Sequence, residues 1–78
     1  MTEPRPPKAE QKAKLLALAL DIAPKPMLVG WGAVHLGWWA SLPDTEELLE
    51  EMVREGVLRR ATKAELREHG LRHGYCPV

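Results

Sequence analysis

Seventy-eight residues carry eleven basic and eleven acidic side chains, so the formal net charge is zero. A chain this short makes one domain with a thin core, and its single cysteine, Cys76, excludes a disulfide scaffold and points to a reducing compartment. No apolar leader stands near Met1 and the uncharged run over 27–43 is shorter than the ~20 residues of a membrane span, so the expected location is the cytoplasm, with no membrane partner.

The zero is not local. Residues 1–40 carry five Lys/Arg and three Asp/Glu, residues 41–56 one and six, and residues 57–78 five and two. The chain is therefore dipolar, with an acidic centre between two basic flanks. It has no Asn and one Gln, a bias reported for thermophile proteins.

Residues 1–7, "MTEPRPP", read as a flexible N-terminal tail, and residues 8–78 as a single domain. From Lys8 to Ile22 the pattern is helical: Leu15, Leu16, Ala19 and Ile22 share one side, with Leu18 beside them. Pro24 and Pro26 end this helix. "PMLVG" is expected to be briefly extended. "WGAVHLGWW", Trp31 to Trp39, has helical spacing, with Trp31, His35, Trp38 and Trp39 at i, i+4, i+7 and i+8.

"SLPDTEE" is a turn and a helix start, capped by Ser41 with Asp44 or by Asp44 with Glu47. Acids in that first turn suit the helix dipole. Leu48, Leu49, Met52 and Val53 form the stripe to be buried, and Gly56 fits the position just past the helix end. "VLRRA" reads as a strand. Thr62 and Glu65 form a second capping box, opening a short helix from Lys63 to His69 that stops at Gly70. "YCPV" is a final strand in which Pro77 fits only an edge position.

This order, with "LLEEMVREGVLRR" as a helix running through a glycine into a strand and "AVHLGWWASLPD" as a helix and turn before it, resembles the winged helix–turn–helix fold over Lys8 to Val78. The resemblance implies an α+β, mostly α architecture: a three-helix core with a small two- or three-stranded wing sheet. It also implies a non-enzymatic module in transcription regulation or another nucleic-acid-associated role, although this fold serves DNA, RNA and protein binding alike.

There are two departures from that pattern. The segment between the wing strands, "TKAELREHGLRHG", is partly helical. The third helix is acidic where DNA-binding members reach base edges in the major groove: the matching positions are Asp44, Glu46, Glu47, Glu50, Glu51, Arg54 and Glu55. Duplex DNA carries one negative charge per ~1.7 Å of axis, so docking by this helix is disfavoured. If duplex DNA is the partner, the phosphate contacts expected are Lys8, Lys12 and Lys14 near the first helix and Arg59, Arg60, Lys63, Arg67 and Arg72 in the wing. The alternative is that these are ordinary solvated charges.

A second function class comes from the tryptophan segment. Trp31, His35, Trp38 and Trp39 occupy one side of the second helix, while Ala33, Leu36, Gly37 and Ala40 make the other side small. Either the tryptophans are the core of a chain without Phe, or that face is a protein interface or homodimer seam. In the interface reading, Glu47, Glu50, Glu51 and Arg54 of the third helix form its charged rim. His69, His73 and Cys76, with His35, have zinc-compatible side chains but no paired-cysteine spacing, so no metal site is expected. Ser41 is needed as a cap, and no phosphate-cradling glycine loop is present. No catalytic residue, cofactor or small-molecule substrate is expected.

Overall fold

A computed structural model describes residues 6–37 and 39–78 of the chain. Among them the elements run α1 (Lys8–Ile22), α2 (Val29–Leu36), α3 (Leu42–Arg54), β1 (Leu58–Arg60), α4 (Lys63–His69) and β2 (Tyr75–Pro77). The protein is thus mostly helical, with a two-stranded antiparallel sheet. No helix among the described residues is long and apolar enough to cross a membrane. The tail expected over 1–7 lies largely outside the described residues.

Helix α1 has the expected bounds. It buries Leu15 and Ala19 completely, with Leu16, Leu18 and Ile22 packed at the edge of the core. Beyond Ile22 the chain turns through Ala23–Pro24, whose peptide bond is cis. Met27 then pairs with Tyr75 by two backbone hydrogen bonds: its N–H donates to the Tyr75 carbonyl at 2.7 Å and its carbonyl accepts from the Tyr75 N–H at 2.9 Å.

Helix α2 departs from the sequence expectation. It starts two residues before Trp31 and ends at Leu36, because Gly37 takes φ +135°, ψ 177°, a conformation open only to glycine. Its buried face is Val29, Gly32, Ala33 and Leu36, at i, i+3, i+4 and i+7. A Cβ on Gly32 would lie 2.9 Å from Leu15 Cδ2 and 3.2 Å from Thr45 Cγ2. Glycine therefore lets α1, α2 and α3 meet at one point. The small side of α2 faces the core, while Trp31 is half-buried and His35 exposed.

Helix α3 is the strongly amphipathic element. Ser41 caps it, its hydroxyl accepting from the Asp44 N–H at 3.2 Å, so the first of the two capping alternatives is the one formed. Thr45, Leu48, Leu49 and Met52 are buried and Val53 is half-buried. Thr45 satisfies its buried hydroxyl by donating to the Ser41 carbonyl at 2.8 Å. At the far end Gly56 takes φ +81°, with Gly56 N–H donating to Val53 O and Val57 N–H to Met52 O. That pair of bonds is the Schellman stop expected of a glycine there.

Strands β1 and β2 pair antiparallel, with Leu58 opposite Pro77 and Arg60 opposite Tyr75. Gly74 and Val78 bond to residues flanking β1, so Pro77, one residue from Val78, turns its donor-less nitrogen away from β1 and costs the ladder nothing. Helix α4 sits between the strands with the predicted Thr62–Glu65 capping box and a second glycine stop, Gly70 at φ +67°. It buries none of its residues. The core is closed by Leu58 and Tyr75 from the sheet against Leu15, Leu36, Leu49 and Met52 from the helices.

Candidate functional site

The acidic helix does not present a bare row of carboxylates. On the side toward α1, Lys8 Nζ lies 2.9 Å from Glu51 Oε2, and Lys12 Nζ lies 2.9 Å from Glu51 Oε1 and 2.7 Å from Glu55 Oε2. Hydrogen bonds from Lys8 and then Lys12 hold the Glu51 carboxyl at about 2. Glu55 and then Glu51 in turn push the Lys12 ammonium above its ordinary value. These pairs hold α1 against α3 at their polar margin.

On the opposite side, Glu50 accepts from the Arg60 guanidinium and from the Tyr75 hydroxyl. Arg60, and next Tyr75, hold the Glu50 carboxyl below its usual range. Burial, helped by Glu50, pushes the Tyr75 hydroxyl up. One carboxylate on α3 thus ties together β1 and β2.

The wing has its own pair. Arg59 binds Glu65 through both nitrogens, at 2.6 and 2.7 Å, the forked geometry that favours arginine over lysine. Glu65 also accepts from the Thr62 N–H at 2.9 Å. Arg59, ahead of Thr62, brings the Glu65 carboxyl to about 2.

The eight basic residues singled out from the sequence therefore divide in two. Lys8, Lys12, Arg59 and Arg60 are answered by carboxylates of the same chain. Among the described residues Lys14, Lys63, Arg67 and Arg72 make no ion pair. Lys63 and Arg67 stand four apart on α4, on one exposed face, and Arg72 follows in the next loop. No family model, curated protein or solved structure matches this chain.

Trp31, His35 and Trp39 do not share one helical face, because α2 ends at Leu36. Trp31 is half-buried on α2, with the Lys25 ammonium 4.8 Å from its ring centre, and His35 is exposed. Trp39 stands past the helix end, its indole lying against Gly37 and its ring packed at the core margin. Trp38 lies outside the described residues. The early stop at Gly37 is the physical cause: the i+8 position of the sequence pattern is no longer helical. Neither described tryptophan belongs to the fully buried core, which is aliphatic with Met27, Met52 and Tyr75. Of the expected charged rim, Glu50 and Glu51 are internally paired, while Glu47 and Arg54 are exposed.

Cys76 is buried in β2 with its thiol 3.9 Å from Glu65 Oε2. Burial, and then Glu65, raise its pKa. No three His, Cys, Asp or Glu residues among those described are grouped to hold a metal ion.

Sequence reasoning missed one feature. A groove of about 470 Å³ opens where the start of α2 and the start of α3 meet β2, lined by Leu28, Val29, Gly30, Trp31, Leu42, Glu46, His73 and Tyr75. Leu42 is 58% exposed there. The available signal was Leu42 itself: it lies seven residues before Leu49, on the same helical side, one turn beyond the buried stripe.

Proposed function

We propose that this chain is a small, non-enzymatic module of winged-helix type that associates with duplex DNA through its wing and not through its third helix. The order of elements supports the winged-helix reading. So does the isolated Met27–Tyr75 bridge, which puts a residue between α1 and α2 beside the last strand.

One observation carries the DNA reading. Three carboxylates of α3, Glu50, Glu51 and Glu55, are engaged by Lys8, Lys12 and Arg60, and of the four singled-out basic residues that make no ion pair among the described residues, three, Lys63, Arg67 and Arg72, lie in the wing. Three such side chains contact phosphates without reading bases. The module then binds weakly and without strong sequence preference, and a dimer would double the contacts. Its role is a supporting one in transcription or another DNA-associated process in the cytoplasm.

The test is fluorescence anisotropy of a short labelled duplex across a salt series. Three neutralised phosphates give a log–log slope of about −2.7, a loss of roughly 40-fold in affinity between about 50 and 200 mM salt. Replacing Lys63, Arg67 and Arg72 together by alanine should remove the salt-dependent component. Absence of binding at about 50 mM salt, or a triple variant that binds like the parent, defeats the proposal.

A further inference from the structure

The groove at Trp31 continues into a second hollow of about 440 Å³ between α3 and the wing, the two sharing Glu46, His73 and Tyr75. Together they form one cleft running along the edge of α3. We infer that this cleft is a docking groove for an extended peptide segment of a partner protein, whose side chains along one face are bulky and apolar, then basic, then acidic.

The order follows from the residues that line it. At one end Trp31, Leu28 and the exposed Leu42 offer an apolar wall. Next comes Glu46, exposed and without a cation among the described residues, unlike Glu50, Glu51 and Glu55 on the same helix. At the far end stand Arg60, already answered by Glu50, and Arg72, which has no carboxylate partner among the described residues. An apolar anchor, a cation and an anion, in that order, complement these three stations.

The spacing suits an extended occupant. Leu42, Glu46 and Glu50 are four residues apart on α3, a rise of about 6 Å per step, and the Arg60 guanidinium stands at the third of these positions, bonded to Glu50. Alternate residues of an extended strand are about 6.7 Å apart and face the same way. A peptide lying along the helix edge therefore keeps near register with it over three stations.

The experiment uses two peptides of one composition, acetyl-Leu-Ala-Lys-Ala-Glu-amide and acetyl-Leu-Ala-Glu-Ala-Lys-amide, titrated into the isotope-labelled full chain and followed by amide NMR shifts. The first should bind on the order of tenfold more tightly than the second, the scale of two exposed charge pairs made or reversed. Its shifts should cluster at Trp31, Leu42, Glu46, His73 and Tyr75. Glu46→Gln, at an exposed side chain without an ion-pair partner, should keep the native spectrum and lose most of that preference, while Glu68→Gln on α4 should keep it. Equal affinity for the two peptides, shifts centred elsewhere, no binding by either peptide, or a preference that survives Glu46→Gln would overturn the inference. The duplex-DNA titration has a separate readout, so either reading can fail alone.

Discussion

Gly32 offers the sharpest check of the packing, because Gly30 in the same helix provides its control. Alanine at Gly32 adds a Cβ at 2.9 Å from Leu15 Cδ2 and 3.2 Å from Thr45 Cγ2. Carbon atoms prefer about 3.5–4.0 Å, so the overlap is at least about 0.6 Å with leucine and about 0.3 Å with threonine. Both neighbours are fully buried, and Thr45 is anchored by its hydroxyl to the Ser41 carbonyl. Overpacking of this kind costs about 1–3 kcal/mol, against a helix-propensity gain of about 0.8–1 kcal/mol. The net expectation is a loss of about 1 kcal/mol. At Gly30 a Cβ meets nothing within 4 Å, so Gly30→Ala keeps part of the propensity gain, about 0.5 kcal/mol at this helix start. Urea unfolding followed by far-ultraviolet circular dichroism should separate the two variants by roughly 1 M or more in midpoint, given a slope of about 1 kcal/mol/M. If Gly32→Ala equals or exceeds Gly30→Ala in stability, the three-helix meeting point is not close-packed and the argument fails.

Other expectations follow from the same contacts. Leu49→Ala empties a fully buried site at the centre of the core and should cost about 2–5 kcal/mol, a large part of the roughly 4–12 kcal/mol available to a chain this long; a midpoint loss under about 1 kcal/mol would argue against that core. Glu51 and Glu65 are held at about 2 against an ordinary 4.5, so their pairs contribute fully above about pH 5 and fade as pH falls toward about 2. The melting temperature should drop across that window, and the double variant Glu51→Gln, Glu65→Gln should show a flatter acid limb; an unchanged limb would mean that the pairs do not form in solution. Tyr75→Phe removes the hydroxyl that bonds Glu50 and should cost about 1 kcal/mol, and a Glu50→Ala background, which takes away that acceptor, should shrink the difference in a double-mutant cycle.

Much of the local architecture was legible without tertiary information. Helix α1, the Thr62–Glu65 capping box and the glycine stops at Gly56 and Gly70 appear where residue spacing places them. Each depends on side chains within a few residues of one another. The stripe of Leu48, Leu49 and Met52 is likewise a property of one helix. The second helix was less legible, because a segment apolar on every side does not announce its buried face. Gly37 could extend the helical pattern or end it, and its φ of +135° ends it.

The tryptophan and charge questions depended on elements distant in the chain. Whether Trp31 or the Gly32–Ala33–Leu36 side meets the core depended on how closely α1 and α3 approach, and only a side without bulky groups permits that approach. The acidic helix looked like an exposed liability because its sequence neighbours are also acidic. Its cations come from α1, some forty residues earlier, and from β1, ten residues later. Sequence by itself determined α1, the buried stripe of α3, the Thr62–Glu65 cap, the glycine stops at Gly56 and Gly70 and the dipolar charge order, because those are short-range properties of the chain. Tertiary structure alone decided which charges remain free and which apolar groups line a groove, because pairing and burial depend on residues that folding brings together.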